Sequence, residues 1–151
     1  EFRRVLFRSF GTPAERILCA SPNDSALDVM RRMRKMGFSH VPVMEKGRMV
    51  GVFSVGSLFS FLEKNGLDAL KPGDRIGRLK DELPAEKHAS ERYLFMPENA
   101  TVLQVRAEFE NRSARNCRLS AVFITPTGIC GEPLLAMLTP WDVLGETSIS
   151  E

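Results

Sequence analysis

The chain writes one order of elements twice, and that repetition narrows the folds open to it more than any other feature. In the first copy a short apolar run, Ile17–Ala20, is broken by Ser21-Pro22, and a proline pushes its predecessor toward extended backbone. Ser25 and Asp28 follow at the spacing of a capping box, so a helix is expected to begin there. Leu27, Met30, Met33 and Met36 recur every three residues and predict one apolar stripe, a methionine-rich core face, with Gly37 at the stop. "HVPVM" and "RMVGVF" then read as strands joined by a turn at Glu45-Lys46-Gly47. Ser54 closes the second strand and opens another helix, which carries Leu58, Phe59, Phe61 and Leu62.

The second copy keeps the order: an apolar run before Pro97, a helix with Leu103, Val105 and Phe109, the strand "SAVFI", a turn, the strand "PLLAML", and Thr139 opening a helix. The interval from Pro97 to Thr139 exceeds that from Pro22 to Ser54 by ten residues, five before the strand and five in the turn. Both are loop positions, where insertions are tolerated. Between the copies, "KNGLDALKPGDRIGRLKDELPAEKHAS" is polar and reads as a connector with a short helix over Asp74–Lys80. A copy of about 55 residues is marginal for independent stability. The two are therefore expected to pack on each other as one pseudo-symmetric unit.

Composition excludes several alternatives. With 43% hydrophobic and 26% charged residues in 151, the chain has the make-up of a globular protein. No apolar run approaches the roughly 18 residues that a bilayer span needs. Cys19, Cys117 and Cys130 are odd in number and form no Cys-x-x-Cys pair, which favours buried or free thiols in a reducing compartment over disulfides or zinc. The first nine residues, "EFRRVLFRS", lack an initiator Met and match, read in frame, a common sequencing adapter; segment 1–9 is expected to be non-native and is left out of fold reasoning. Without its three arginines and one glutamate, 21 basic against 19 acidic residues become 18 against 18. The basic face that a grip on nucleic acid requires is then unsupported. "RRMRK" at 31–35 remains, interrupted by Met33 at helical spacing, and reads as a solvated helix face. No Ser/His/Asp, Cys/His or paired-carboxylate arrangement has mechanistic spacing, so no enzyme is expected.

Ser-Pro before the first helix, "GFSHVPV" at its end, and "GVFS" and "MLTPWD" at the two strand-to-helix junctions together resemble the tandem CBS domain pair, over about Thr12 to Leu144. The resemblance implies an α/β (α+β) fold of two β-α-β-β-α CBS repeats packed into one pseudo-two-fold module. It divides the chain into a first repeat over 10–66, a connector over 67–91 and a second repeat over 92–148. It also implies clefts between the repeats that commonly bind adenosine-containing ligands (AMP, ADP, ATP, S-adenosylmethionine or cyclic di-AMP), flat homodimers, and regulation of an attached or separate partner. The expected protein is a cytoplasmic regulatory module with no catalytic residue, no resident cofactor and no metal. The rivals are a ligand-free dimerisation or docking scaffold, and the regulatory fragment of a longer enzyme or transporter.

The ligand motif of that family at the end of the second strand is Gly, two apolar residues, Ser or Thr, two further residues and Asp. "AMLTPWD" keeps Thr139 and Asp142 with Ala136 in place of the glycine; "GVFSVGS" keeps Gly51 and Ser54 with Ser57 in place of the aspartate. A carboxylate is an acceptor-only group and takes both hydroxyl protons of a cis-diol, so it suits ribose; a serine supplies no charge. The resemblance therefore places the adenosine site at Thr139, Pro140 and Asp142, with Ser120, Ala121 and Val122 and with Phe95 and Met96 along an adenine slot, and Arg118 near phosphate. The weaker, altered or empty cleft is that of Ser54, Ser57, His40, Pro42, Cys19 and Ala20, with His40 where a phosphate contact or an ordinary surface histidine would stand. Capping alone also accounts for Thr139, Pro140 and Asp142, proline being favoured at the first helical position. Trp141 is expected at a cleft rim or a dimer face, and His88 in solvent.

Overall fold

The computed structural model describes residues 11–87, 91–111 and 118–144. Segment 1–9, His88, Cys117 and the tail "GETSISE" lie outside the described residues. The described chain divides into two compact units, one of residues 18–87 and one of residues 11–17, 91–111 and 118–144.

In the first unit the hydroxyl of Ser25 accepts the amide hydrogen of Asp28 at 3.3 Å and starts helix α1, Ala26–Met36. A cap of this kind contributes about 1 kcal/mol. The buried face of α1 is Ala26, Val29 and Met33, while Met36 is 51% exposed, which corrects the expected Leu27–Met36 stripe. The reason is geometric: at 3.6 residues per turn, a strict spacing of three drifts about 60° per step, so the stripe winds off the core within three steps. At Gly37, with φ of 77°, the chain turns left-handed, and the amides of Gly37 and Phe38 both donate to the Met33 carbonyl.

Strands β2, His40–Glu45, and β3, Arg48–Ser54, pair antiparallel from His40↔Ser54 to Glu45↔Arg48 around the turn at Lys46 and Gly47. The apolar run before Pro22 contributes a single parallel bridge, Ala20↔Val43. Helix α2, Val55–Asn65, follows directly, burying Phe61. The connector is more than a polar linker. Its helix is a 3-10 stretch at Ile76–Glu82 rather than Asp74–Lys80, and Ile76, Leu79 and Leu83 enter the same core as Val29, Val41 and Phe53. The Leu83 carbonyl accepts the amide of Val52 at 2.8 Å. Any Cβ on Gly51 would collide with that carbonyl group, whose carbon lies 2.6 Å from where it would sit.

The second unit is a four-stranded sheet in the order β1-β6-β5-β4, formed by β1 (Thr12–Pro13), β4 (Glu91–Pro97), β5 (Arg118–Thr125) and β6 (Ala136–Leu138). β4 and β5 run parallel, joined through helix α3, Val102–Glu110, which opens on a complete capping box between Thr101 and Gln104. Val105 is buried, but Leu103 is 71% exposed, and Val102 packs on the core in its place. The strand expected from "PLLAML" contracts to its last three residues, with Leu135 still donating its amide to the Ile124 carbonyl at 2.8 Å. The longer turn of this copy is gathered by Glu132: its Oε1 accepts the hydroxyls of Thr125 and Thr127 and the amides of Thr127 and Ile129, all within 3.1 Å. A short helix α4, Pro140–Leu144, completes the unit. The two closing strands are flanked alike. Ala136 pairs with Pro13 as the Gly51–Val52 stretch lies against Leu83, each closing strand meeting a segment that precedes the other copy in sequence.

Candidate functional site

Both strand-to-helix junctions bind their own polar groups, but with different chemistry. At the end of β6 a single oxygen of Asp142, Oδ2, accepts the amide of Thr139 at 2.8 Å and its hydroxyl at 3.1 Å. Asp142 therefore reaches back from the third helical position, and Pro140 occupies the first, where its missing N–H costs nothing. Thr139 donates its hydroxyl to this carboxylate and caps the turn through its carbonyl, which accepts the Asp142 amide at 3.0 Å. Asp142 is half-buried. Desolvation raises its pKa above the usual carboxylate value, and the two bonds from Thr139 pull it back only in part. Both bonds fall on Oδ2, and among the described residues Oδ1 is left as an acceptor.

The sheet carries the other expected residues next to this junction. Leu138 pairs with Val122, so Thr139 lies at the level of Ala121, which pairs with Tyr93 on β4. Phe95 and Met96 pair with Phe123 and Ile124. Ala121 and Val122 are fully buried, so only their backbone could line a slot, while Ser120 turns its hydroxyl to the Arg118 carbonyl at 3.5 Å. Phe95 and Tyr93 both lie against the ring of Phe123, at 5.6 and 5.9 Å. Trp141 is 86% exposed.

At the end of β3 the same position is closed. Ser54 and Ser57 form a reciprocal box: the Ser57 amide donates to the Ser54 hydroxyl at 3.2 Å, and the Ser54 amide to the Ser57 hydroxyl at 2.8 Å. The Ser57 hydroxyl also donates to the Ser54 carbonyl at 2.8 Å, and both residues are buried. His40 pairs with Ser54 across the strands and bonds the Ser39 hydroxyl through Nδ1 at 2.8 Å. Ala20 donates its amide to the Pro42 carbonyl at 2.9 Å. Cys19, beside it, is half-buried, and that burial pushes its thiol pKa up. The strand order thus gathers Ala20, Pro42, His40 and Ser54. What the sequence did not reveal is the part of Leu83 in forcing Gly51, and Glu132 as the clasp of the second turn. Among the described residues no group of three His, Cys, Asp or Glu side chains could hold a metal ion, and no helix is long and apolar enough to cross a membrane.

Residues 9–64 match the CBS domain family. Solved structures share the fold over nearly the whole chain. The CBS domain of NE2398 aligns at a TM-score of 0.63 with 14% identity, covering 96% of this chain and 95% of its own. CBSX2 in complex with AMP aligns at 0.62 with 18% identity, covering 95% and 96%. CbpB in complex with c-di-AMP aligns at 0.61 with 16% identity, covering 94% and 83%. At such identities the likeness is one of fold. No curated protein sequence matches the chain.

Proposed function

We propose that the chain is a non-catalytic, cytoplasmic regulatory module whose repeats, 10–66 and 92–148 around the connector 67–91, sense an adenosine-containing ligand and signal through homodimer or partner contacts. The observation that carries this reading is Asp142: a half-buried carboxylate at a strand-to-helix junction, with Oδ1 unused, beside Thr139 and next to the backbone of Ser120–Val122. A ribose diol offers two hydroxyl protons to such a carboxylate, and Phe95 and Met96 flank the strand that would face adenine. Support comes also from the AMP and c-di-AMP complexes of proteins that share the fold. Arg118, at the start of β5, is the cation we assign to phosphate. The junction of Ser54 and Ser57, with His40, Pro42, Cys19 and Ala20, is the altered site, since both hydroxyls are engaged and buried.

Thermal unfolding in the presence of AMP, ADP, ATP, S-adenosylmethionine and cyclic di-AMP tests the proposal. A ligand at one hundred times its dissociation constant stabilises the fold by about 2.7 kcal/mol, a shift on the order of 5–10 °C for this length. One ligand should produce the shift, and Asp142→Ala should abolish it. A second reading has its own observation: the bonds between Thr139 and Asp142 complete a helix cap with no ligand present. If no nucleotide shifts the transition, the module is a ligand-free scaffold.

A further inference from the structure

Beside the β3-to-α2 junction the first unit has a half-open pocket of about 230 Å³. Met30 and Met33 of α1, Phe53 at the end of β3 and Leu58 of α2 line it, and Phe38 joins them because the left-handed turn at Gly37 folds it back beside Met33. The lining is almost wholly apolar. The hydroxyl of Ser54, which also borders it, already accepts from Ser57. The one charged group on the wall is Arg34. Among the described residues Arg34 pairs with no carboxylate, whereas its neighbour Arg31 is held by Asp28 at 3.5 Å. Arg34 is exposed, so the guanidinium sits where the apolar space meets solvent.

An apolar space of this kind holds water poorly, and an apolar chain that displaces it gains by leaving bulk water. Engineered apolar cavities of about 150 Å³ take up benzene when enclosed; this space is larger but half-open, so it shields a hydrocarbon tail only in part. A free cation at the rim selects the head group. We propose that the cavity binds a small amphipathic anion, a medium-chain carboxylate, with its tail among Met30, Met33, Phe53 and Leu58 and its head paired to Arg34. The site lies wholly in the first unit and is independent of Asp142.

The test is methionine-methyl NMR of the full chain, titrated with octanoate and, as the neutral counterpart, octanol. Octanoate should shift the Met30 and Met33 methyls saturably and leave Met137 unmoved. Arg34→Gln, an exposed change that leaves the fold intact, should weaken octanoate about two- to fivefold at low salt, the range for an exposed charge pair, and leave octanol binding as it was. Asp142→Ala should bind octanoate as the parent does, so failure of the nucleotide reading leaves this one standing. The proposal is overturned if octanoate leaves the two methyls unshifted, or if Arg34→Gln binds octanoate as tightly as the parent chain does. It is overturned equally if the same methyls shift with protein concentration alone and octanoate does not compete, because the cavity is then covered by a second copy.

Discussion

At the end of β3 two serines close on each other and disappear from solvent; at the end of β6 a threonine and an aspartate close on each other and remain half in it. Both pairs solve the same problem, the unpaired amides at the start of a helix. The difference lies in what is left over. A hydroxyl that donates to a carbonyl and accepts an amide has little capacity to spare, whereas a carboxylate that uses one oxygen keeps the other and its charge. The closed junction reads as structure, and the open one as a place for a diol. A second contrast runs alongside: Gly51 is fixed by the carbonyl of Leu83, while the matching Ala136 pairs with Pro13 at the edge of its sheet with its Cβ accommodated. The glycine of the ligand motif therefore has a packing reason in one copy that is absent in the other.

The largest effect should come from that packing. Gly51→Ala drives a methyl into the Leu83 carbonyl group, and overpacking of this kind costs about 1–3 kcal/mol. Urea unfolding should show the midpoint falling at constant slope, and Ala136→Gly should not match that loss. A Gly51→Ala chain as stable as the parent would break the contrast. Next in size is the closed box. Ser57→Ala removes the acceptor for the Ser54 amide in a buried setting, at about 1–2 kcal/mol. The same measurement on Asp142→Asn should give much less, since an amide oxygen still accepts from Thr139.

The pH dependence sharpens the comparison further, because two carboxylates of the second unit carry opposite signs. The folded pKa of Asp142 is raised, so the folded state binds more protons there. Its ionisation removes stability as pH rises from the unfolded value near 3.9 through the folded one. For Glu132, desolvation pushes the pKa up, but the amides of Ile129 and Thr127 and the hydroxyls of Thr127 and Thr125 outweigh it and the net shift is downward. Its stabilisation is present above the unfolded value near 4.3 and is lost as pH falls through the folded pKa. Melting curves across the acid range should therefore show Asp142→Asn losing stability relative to the parent as pH falls. Glu132→Gln should approach the parent over the same range. Parallel curves for both variants would contradict these environments.

Much of this was legible in the residues, wherever the cause is local. Ser25 before Asp28, Gly37 after Met36, and Ser54 and Thr139 at the ends of strands announce their helices by short-range hydrogen bonding and backbone conformation. What escaped depends on contacts distant in sequence. The burial of Ile76, Leu79 and Leu83 is hidden because their neighbours in the connector are polar, and only the fold brings them to Val29 and Phe53. The pairing of Thr12–Pro13 with β6 joins segments more than a hundred residues apart, which no local pattern encodes. The methionine stripe misled through period alone, since a spacing of three fits no face of a 3.6-residue helix for long. At the candidate site, the residue types named Thr139 and Asp142 as a pair, but which of them accepts and which donates needed the geometry.

The most direct measurement is titration calorimetry of the nucleotide that gives the largest thermal shift, on the parent chain, Asp142→Asn and Ser57→Ala. The account predicts one binding event per chain in the parent, retained in Ser57→Ala. Asp142→Asn should weaken it by at least about tenfold, the value of a hydrogen bond to a charged partner. Binding that is unchanged in Asp142→Asn, or lost in Ser57→Ala alone, would contradict the assignment of the open junction as the ligand's.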